Sequence, residues 1–569
     1  MRSPYLLRFF SKFHIAFGSI FLVPLLVEWI YERQLGQEML MAWLMPAAIM
    51  GSLGFYLRQK YLKDHALEDL PGLSRREGFL LVGLSWILMI AWGTIPFILT
   101  EATPDFASAV FESASGFTTT GATVLTDFEN TPRSIILWRS LSQWIGGMGI
   151  IVLSVAILPE LALGGMQLFS AEASGLSGGE KLAPRIRETA GKLWFLYVLL
   201  TGLEIVLLKF VGEMSFFDAI NNAFCTTATG GFSPNGASIG GYDNGWIEAI
   251  ITLFMILGGL NFALQYKVFL NLDFKRLWNS IELRIYFLIL AAATLLISLN
   301  LWWEAEVIHT TIKDQTVEPG FTAALRYAGF QAVAMLTGTG FSTADFDQWP
   351  LFSKSLLLVM MAIGGCAGST AGGLKIIRIL VLFKHMAREC SRLLIPNLVK
   401  PISIDKRTID DSIIWGVMGF ISLYIVALVL CTVIMCALPH DAPSDPINPV
   451  PEGQKWSMDL DTAASASLSA LNSIGPGMAN VGPAKNYAFV HPVGKFTLAF
   501  CMLLGRLEIY SLLILLLPSF WQRRRAPPNS PCGPGEPARG GRAEQHRRPV
   551  VLVAAVAAVR VPHFLLLGV

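Results

Sequence analysis

Four short strings decide how this chain folds: FTTTGAT at residues 117–123, TATGGFS at 227–233, TGTGFST at 337–343 and NSIGPGM at 472–478. Aligned on Gly121, Gly230, Gly340 and Gly475, they stand 109, 110 and 135 residues apart. A fixed period within one chain is the mark of a repeated structural unit. A second glycine marker follows each string: Gly146-Gly147-Met148, Gly258-Gly259-Leu260, Gly364-Gly365-Cys366 and Leu504-Gly505-Arg506. Each string is also preceded by an amphipathic stretch too short to cross a bilayer, at 105–116, 215–226, 320–336 and 457–471. Helix-starting residues lie near three of these starts, at Thr103-Pro104, Ser215 and Pro319. Each unit therefore reads as span, half-helix, extended loop, span.

The rest of the chain agrees with a membrane setting. It is 569 residues long, 53% hydrophobic and 15% charged, with a mean hydropathy of +0.54. Soluble domains carry about 25% charged residues. Apolar runs suited to crossing a bilayer, which takes roughly 20 residues, recur at 15–30, 79–99, 135–158, 194–211, 250–268, 283–301, 355–363, 413–438 and 496–517, some interrupted by Gly or a lone polar residue. Basic residues cluster at 2–12, 58–76, 181–192, 267–276, 378–407 and 523–525, while the long connections between them lean acidic. The positive-inside rule places the basic clusters, and with them the N-terminus, in the cytoplasm. The first apolar run lacks a cleavage site and reads as a retained span. The seven cysteines are scattered, most in apolar stretches, without metal-type spacing or a disulfide framework. The expected fold is all-α and polytopic: four pseudo-symmetric repeats around one pore, plus two N-terminal spans.

Non-helical backbone survives at membrane depth only where it is buried in protein or lines water. Four Gly/Thr-rich loops around one axis would present rings of carbonyl oxygens, which replace the hydration shell of a monovalent cation. Glycine lets the chain turn its carbonyls inward at positive φ. The half-helices would aim their negative dipole ends at the same axis. The candidate filter residues are Thr119, Thr120 and Gly121; Ala228, Thr229 and Gly230; Gly338, Thr339 and Gly340; and Ser473, Ile474 and Gly475. The fourth loop is similar to the potassium-channel string TVGYG. Singly each string is compatible with an ordinary turn; four in register with spans are not four unrelated loops.

The strings SGFTTTGATV, LWRSLSQWIGGMGI, GGCAGSTAGGLKI and GRLEIY, with this layout, resemble the TrkH family within the Trk/Ktr/HKT superfamily, over about residues 10–525. The resemblance implies potassium uptake across the bacterial inner membrane, one pore per subunit, a homodimer set in membrane lipid, and a TrkA-type cytosolic ring of nucleotide-binding subunits. It implies potassium selectivity marked by a glycine in every filter loop; sodium-selective relatives often carry Ser in the first. Residues 353–383 are too long for one crossing and are broken by the run at 364–373, which cannot stay helical. In the family the matching segment is an intramembrane gate. That assigns Gly364, Gly365, Gly368, Ser369, Thr370, Gly372 and Gly373 to the gate, with Arg506 protruding into the pore beside it. The alternatives are a packing face of small residues for the run and a structural ion pair away from the pore for Arg506; Glu508 is a candidate partner for Arg506 or for a neighbouring helix. Lys375 and Arg378 read as markers of a cytoplasmic span end.

GSTAGGLK at 368–375 lacks the Lys directly after the last Gly that a phosphate-binding loop needs. LSGGE at 176–180 has no Walker motifs beside it. An intramembrane hydrolase built on Ser369 or Cys366 lacks a His or Lys partner at that depth. The reading is therefore not an enzyme: potassium is cargo, and no organic cofactor or nucleic-acid partner is expected. A less selective potassium/sodium permease is the alternative within transport. The expected units are 1–65 (two spans), 66–190, 191–278, 279–400 with the gate, and 401–525. Residues 526–569 form an atypical Pro/Gly/Arg-rich tail that reads as disordered.

Overall fold

The computed structural model describes residues 3–32, 36–62, 75–156, 182–271, 280–311, 315–318, 320–405, 407–441 and 456–522. Met1–Phe520 forms one unit and Trp521–Val569 a second, of which only residues 521 and 522 are described. The 526–569 tail, the basic cluster at 523–525, Pro319 and much of the basic stretch at 58–76 lie outside the described residues.

The N-terminal part comprises α1 (Ser3–Ile20), α2 (Leu22–Glu32), α3 (Gln37–Leu62), α4 (Arg75–Leu99), a short α5 (Phe106–Phe117) and α6 (Arg133–Ala156). There follow α7 (Leu182–Phe210), a short α8 (Phe216–Thr227), α9 (Gly245–Gly258) and α10 (Phe262–Asn271). Next come α11 (Ile281–Glu304), α12 (Phe321–Thr337), α13 (Leu351–Ile363) and α14 (Ile376–Leu394). The last stretch holds α15 (Asp411–Ala437), a short α16 (Leu460–Asn472), α17 (Pro492–Arg506) and α18 (Tyr510–Leu516). Among the described residues, three pairs of two-residue antiparallel strands lie between helices: β1–β2 (Ile308–His309, Thr316–Val317), β3–β4 (Ser403–Ile404, Arg407–Thr408) and β5–β6 (Pro439–His440, Trp456–Ser457).

Among the described residues, six helices are long and apolar enough to cross a membrane, or up to eight when each of two bent pairs is one span. The bent pairs are α9–α10, which turns by 105°, and α17–α18, which turns by 118°. The ten spans read from sequence also include α6 and α13, which are not among these eight; α13 has only 13 residues. Exposed apolar side chains form helical stripes, such as Val426, Val429, Leu430 and Val433 on α15 and Leu199, Leu203 and Val206 on α7. In water such stripes would be costly; against hydrocarbon they are the expected outer face.

Of the four helices that precede the loops (α5, α8, α12 and α16), three start on a side-chain cap, while α12 starts at Gly320 without one. Asp105 accepts from the Ser108 N–H at 2.7 Å, the Ser215 hydroxyl from Asp218 N–H at 3.1 Å, and Asp459 from Thr462 N–H at 3.2 Å. These are N-caps that satisfy orphan amides. At α5 the cap is Asp105, two residues after the expected Thr103. Asp105→Ala should cost about 1 kcal/mol; thermal unfolding in detergent checks this, with Asp105→Asn close to wild type.

The N-terminal helices lean on the first short helix through aromatic packing. Trp138 of α6 lies 4.6 Å from Phe21 and 5.7 Å from Trp43, centroid to centroid, and 6.1 Å from Phe117 at the end of α5. All four rings are fully buried, and such pairs contribute roughly 0.5–1.5 kcal/mol beyond area burial. This cluster holds the end of α5 in place.

Candidate ion-conduction site

The four short helices end in one geometry. The N–H groups of Thr120, Gly230, Thr339 and Ile474 reach back five residues, to Ser115, Cys225, Ala334 and Ser469, at 2.8, 2.8, 3.0 and 3.1 Å. The preceding N–H groups of Thr119, Thr229, Gly338 and Ser473 reach back three residues, at 2.9, 2.9, 3.2 and 3.4 Å. This pair of bonds is the Schellman motif, which requires a left-handed residue. Those residues are Thr119 (φ +53°), Thr229 (+51°), Gly338 (+67°) and Ser473 (+53°). Three of the four are not glycine, although left-handed backbone costs an L-residue roughly 1–2 kcal/mol. Two residues on, the chain turns positive again, at Gly121 (+84°), Gly231 (+80°), Gly340 (+77°) and Gly475 (+105°).

The register in the second loop therefore corrects the sequence alignment. Gly231, not Gly230, matches Gly121, Gly340 and Gly475, and Ala228 is an ordinary right-handed cap at φ −75°. The string carries two adjacent glycines, and only the backbone distinguishes them.

The loops close a ring. A Cβ at Gly121 would fall on the carbonyl oxygen of Gly230, at Gly231 on that of Thr339, and at Gly340 on that of Ile474. At Gly475 it would lie 2.8 Å from the Thr120 oxygen. Each loop thus presses its glycine on a carbonyl of the next, and the fourth returns to the first. All four glycines line one open cavity of about 290 Å³.

The ring is braced from behind. Gln143 Nε2 donates to the Gly230 carbonyl at 2.7 Å, and its Oε1 accepts from Phe232 N–H at 3.2 Å. Glu112 and Arg139 form a fully buried ion pair at 2.7 Å. Glu112 also accepts from Thr123 Oγ1 and Val124 N–H, both at 2.9 Å, and the Arg139 guanidinium stacks 4.0 Å over Phe232. Gln331 Oε1 accepts from Thr343 N–H at 3.1 Å. Gly475 O accepts from Ser469 and Tyr487 hydroxyls, each at 2.8 Å. Sequence reading missed all of these braces. The legible signal was charge: Glu112 and Arg139 sit within otherwise apolar helical faces. The Thr119 and Ser473 hydroxyls are buried and without a partner, free to supply oxygen to a cation.

The glycine-rich run between α13 and α14 crosses beneath these loops. Gly364, Gly368 and Gly373 have φ of +75°, +70° and +82°. Thr370 Oγ1 donates to the Thr227 carbonyl at the end of α8 (3.2 Å) and to Gly258 O (3.1 Å). A Cβ at Gly372 would fall on Asn472 O, and one at Gly365 would lie 3.0 Å from Gly259 O. Ser369 donates to Cys366 O at 2.5 Å, which leaves its hydroxyl proton committed within the loop. Arg506 is buried; its Nη1 donates to Thr370 O at 2.7 Å and its Nη2 to Gly146 O at 3.2 Å. Glu508 pairs with Arg378 instead of Arg506. Lys375, just before α14, and Arg378, in its first turn, are themselves buried, with Lys375 donating to the Ala371 carbonyl.

Close approach also explains the second glycine marker. A Cβ at Gly146 would fall on Phe117 O, and one at Gly505 on Leu471 O. These glycines let the following span pass directly against the end of a short helix.

Residues 58–523 match the TrkH family, described as cation transport proteins. The chain is 39% identical over 511 residues to the Trk system potassium uptake protein TrkH of Escherichia coli (strain K12), covering 89% of this chain and 97% of that one. It is 32% identical to the Trk system potassium uptake protein TrkG of the same strain, over 79% of this chain and 86% of that one. The crystal structure of the potassium transporter TrkH from Vibrio parahaemolyticus superposes with a TM-score of 0.76 at 34% identity, covering 92% of this chain and all of that one. The ring of glycine-backed carbonyls and the loop beneath it thus sit in a membrane protein that belongs to the TrkH family of cation transport proteins.

Proposed function

We propose that this chain mediates potassium uptake across the bacterial inner membrane through one pore, with the four loops as selectivity filter and residues 364–373 as gate. The observation that carries the reading is the closed ring of glycine-on-carbonyl contacts. It gathers backbone carbonyl oxygens from all four loops around a common axis, and such oxygens substitute for the water shell of a monovalent cation. The short helices add their negative ends to the same region. A membrane potential drives inward movement, at about 2.3 kcal/mol per charge per 100 mV.

The four loops belong to four span–half-helix–loop–span repeats that follow two N-terminal spans, with the N-terminus cytoplasmic. The run at 364–373 obstructs the path below the filter, and the Arg506 guanidinium holds it there while adding positive charge against cations. A homodimer and a TrkA-type cytosolic nucleotide-binding subunit complete the reading; both rest on the family resemblance.

The test is rubidium, potassium and sodium flux into liposomes holding the purified chain, for wild type and Gly121→Ser. Wild type is expected to favour rubidium and potassium over sodium, and Gly121→Ser to reduce that preference about tenfold. A Cβ at 121 would fall on the Gly230 carbonyl oxygen, so the substitution displaces a ring oxygen, and the ion preference of the flux that remains is the readout. Equal rubidium and sodium rates in wild type, or no flux with the 364–373 run shortened, would overturn the proposal.

A further inference from the structure

The glycine-rich run is also held by a carboxylate from the start of α11, outside the ring of loops. Glu282, in the first turn of α11, is buried, and its Oε1 accepts from the backbone N–H of Ala367 at 2.8 Å. Ala367 lies at the middle of the run, between Cys366, whose N–H donates to Gly259 O at 3.0 Å, and Gly368, whose carbonyl accepts from Phe262 N–H at 3.1 Å. Those flanking bonds are neutral backbone pairs. The bond to Glu282 is charge-assisted, about twice as strong as a neutral one, and it fixes the loop to a different helix.

The position of Glu282 is set in turn by the β3–β4 hairpin. Asp405, at the hairpin tip with φ +47°, accepts from the Ile281 N–H at 3.0 Å, one residue before Glu282. The other side of the hairpin is tied to α14, the helix that leaves the gate: Lys384 Nζ donates to Ser403 O at 2.7 Å. Ile402 and Ile404 pack with Val381 of α14 and with Ile281. The hairpin therefore couples the start of α11 to the arm of α14.

We infer that Glu282 is a positioning residue that latches the gate loop shut through the Ala367 amide, and that the β3–β4 hairpin keeps this latch in register with α14. The inference rests on the reading of residues 364–373 as a gate. Loss of the carboxylate leaves a buried N–H unsatisfied only in the closed arrangement, so it shifts the population toward the open one. A displacement of α14 that pulls on the hairpin would loosen the latch by the same route.

The experiment measures rubidium uptake into liposomes holding the full chain and no other protein. The variants are Glu282→Ala, Glu282→Gln, Asp405→Gly and a chain with residues 366–371 excised. Asp405→Gly removes the acceptor at a backbone position that glycine adopts freely. The expected result is about a tenfold rise for Glu282→Ala, a smaller rise for Glu282→Gln and two- to threefold for Asp405→Gly, with the rubidium-to-sodium ratio unchanged. A merely structural role would instead lower flux or degrade that ratio, and either outcome overturns the latch. Should Glu282→Ala fail to fold, the isosteric Glu282→Gln and the Asp405→Gly variant carry the test. If the excised chain leaks while these variants conduct at the wild-type rate, the latch is refuted and the gate reading stands. If the excised chain does not leak, both fall.

Discussion

Gly340→Ala should lower rubidium uptake by about a hundredfold or more, while Gly329→Ala, in the helix just before it, leaves uptake at the wild-type rate. The two substitutions add the same methyl group eleven residues apart and meet different surroundings. At 340 the backbone stands at φ +77°, and the new Cβ would fall on the Ile474 carbonyl oxygen and lie 2.9 Å from Pro476 Cδ. The φ penalty alone is roughly 1–2 kcal/mol. The larger effect is steric, because the carbonyl that must move is a ring oxygen and the proline behind it cannot yield. At 329 the nearest atom to a Cβ is Thr294 Cγ2, at an ordinary 3.6 Å, and alanine favours the helix by roughly 1 kcal/mol. Tracer uptake by purified variants in liposomes decides the matter. Wild-type transport by Gly340→Ala would show that this carbonyl ring is not on the ion's path.

Glu112→Ala is expected to destabilise the protein by about 3–5 kcal/mol, the usual cost of stranding a buried charge by removing its partner. The stranded group is Arg139, whose side chain is 2% exposed. The same carboxylate also accepts from Thr123 and Val124, immediately after Gly121. Its loss therefore frees the far side of the first loop as well as the guanidinium. Glu112→Gln keeps an acceptor and should cost less. Replacing both Glu112 and Arg139 by glutamine should recover part of the loss, since no unpaired charge then remains. Thermal unfolding in detergent and the yield of monodisperse protein are the readouts. A Glu112→Ala variant within 1 kcal/mol of wild type would mean that water already reaches Arg139.

Several local features were legible because they depend on near neighbours in the chain. The short helices end within one residue of the stretches expected to form them: 105–116 against Phe106–Phe117, and 215–226 against Phe216–Thr227. The caps at Ser215 and the break at residues 364–373 follow from side-chain chemistry and from the poor helix propensity of glycine. The braces behind the loops were not legible. Gln143, Gln331 and Arg139 find their partners across 12 to 94 residues, and a lone Gln on an apolar helix carries no mark of what it will touch. Arg378 and Glu508, 130 residues apart, pair with each other, although Glu508 stands only two residues from Arg506.

The sequence by itself determined that this chain is a helical membrane protein, that short helices ending in Gly/Thr loops recur along it, and that one late span is interrupted. Hydropathy, glycine and capping residues act locally, so their consequences are written locally. Only the tertiary structure decided which glycine of Gly230-Gly231 takes the positive φ, because either could do so alone. The choice is made by the carbonyl of Thr339 pressing from the next loop. Nor could the one-dimensional chain say that Arg506 would hold Thr370 or that Glu282 would hold Ala367. Those bonds form where buried polar groups, cut off from water, must find whatever partner the packing brings within reach.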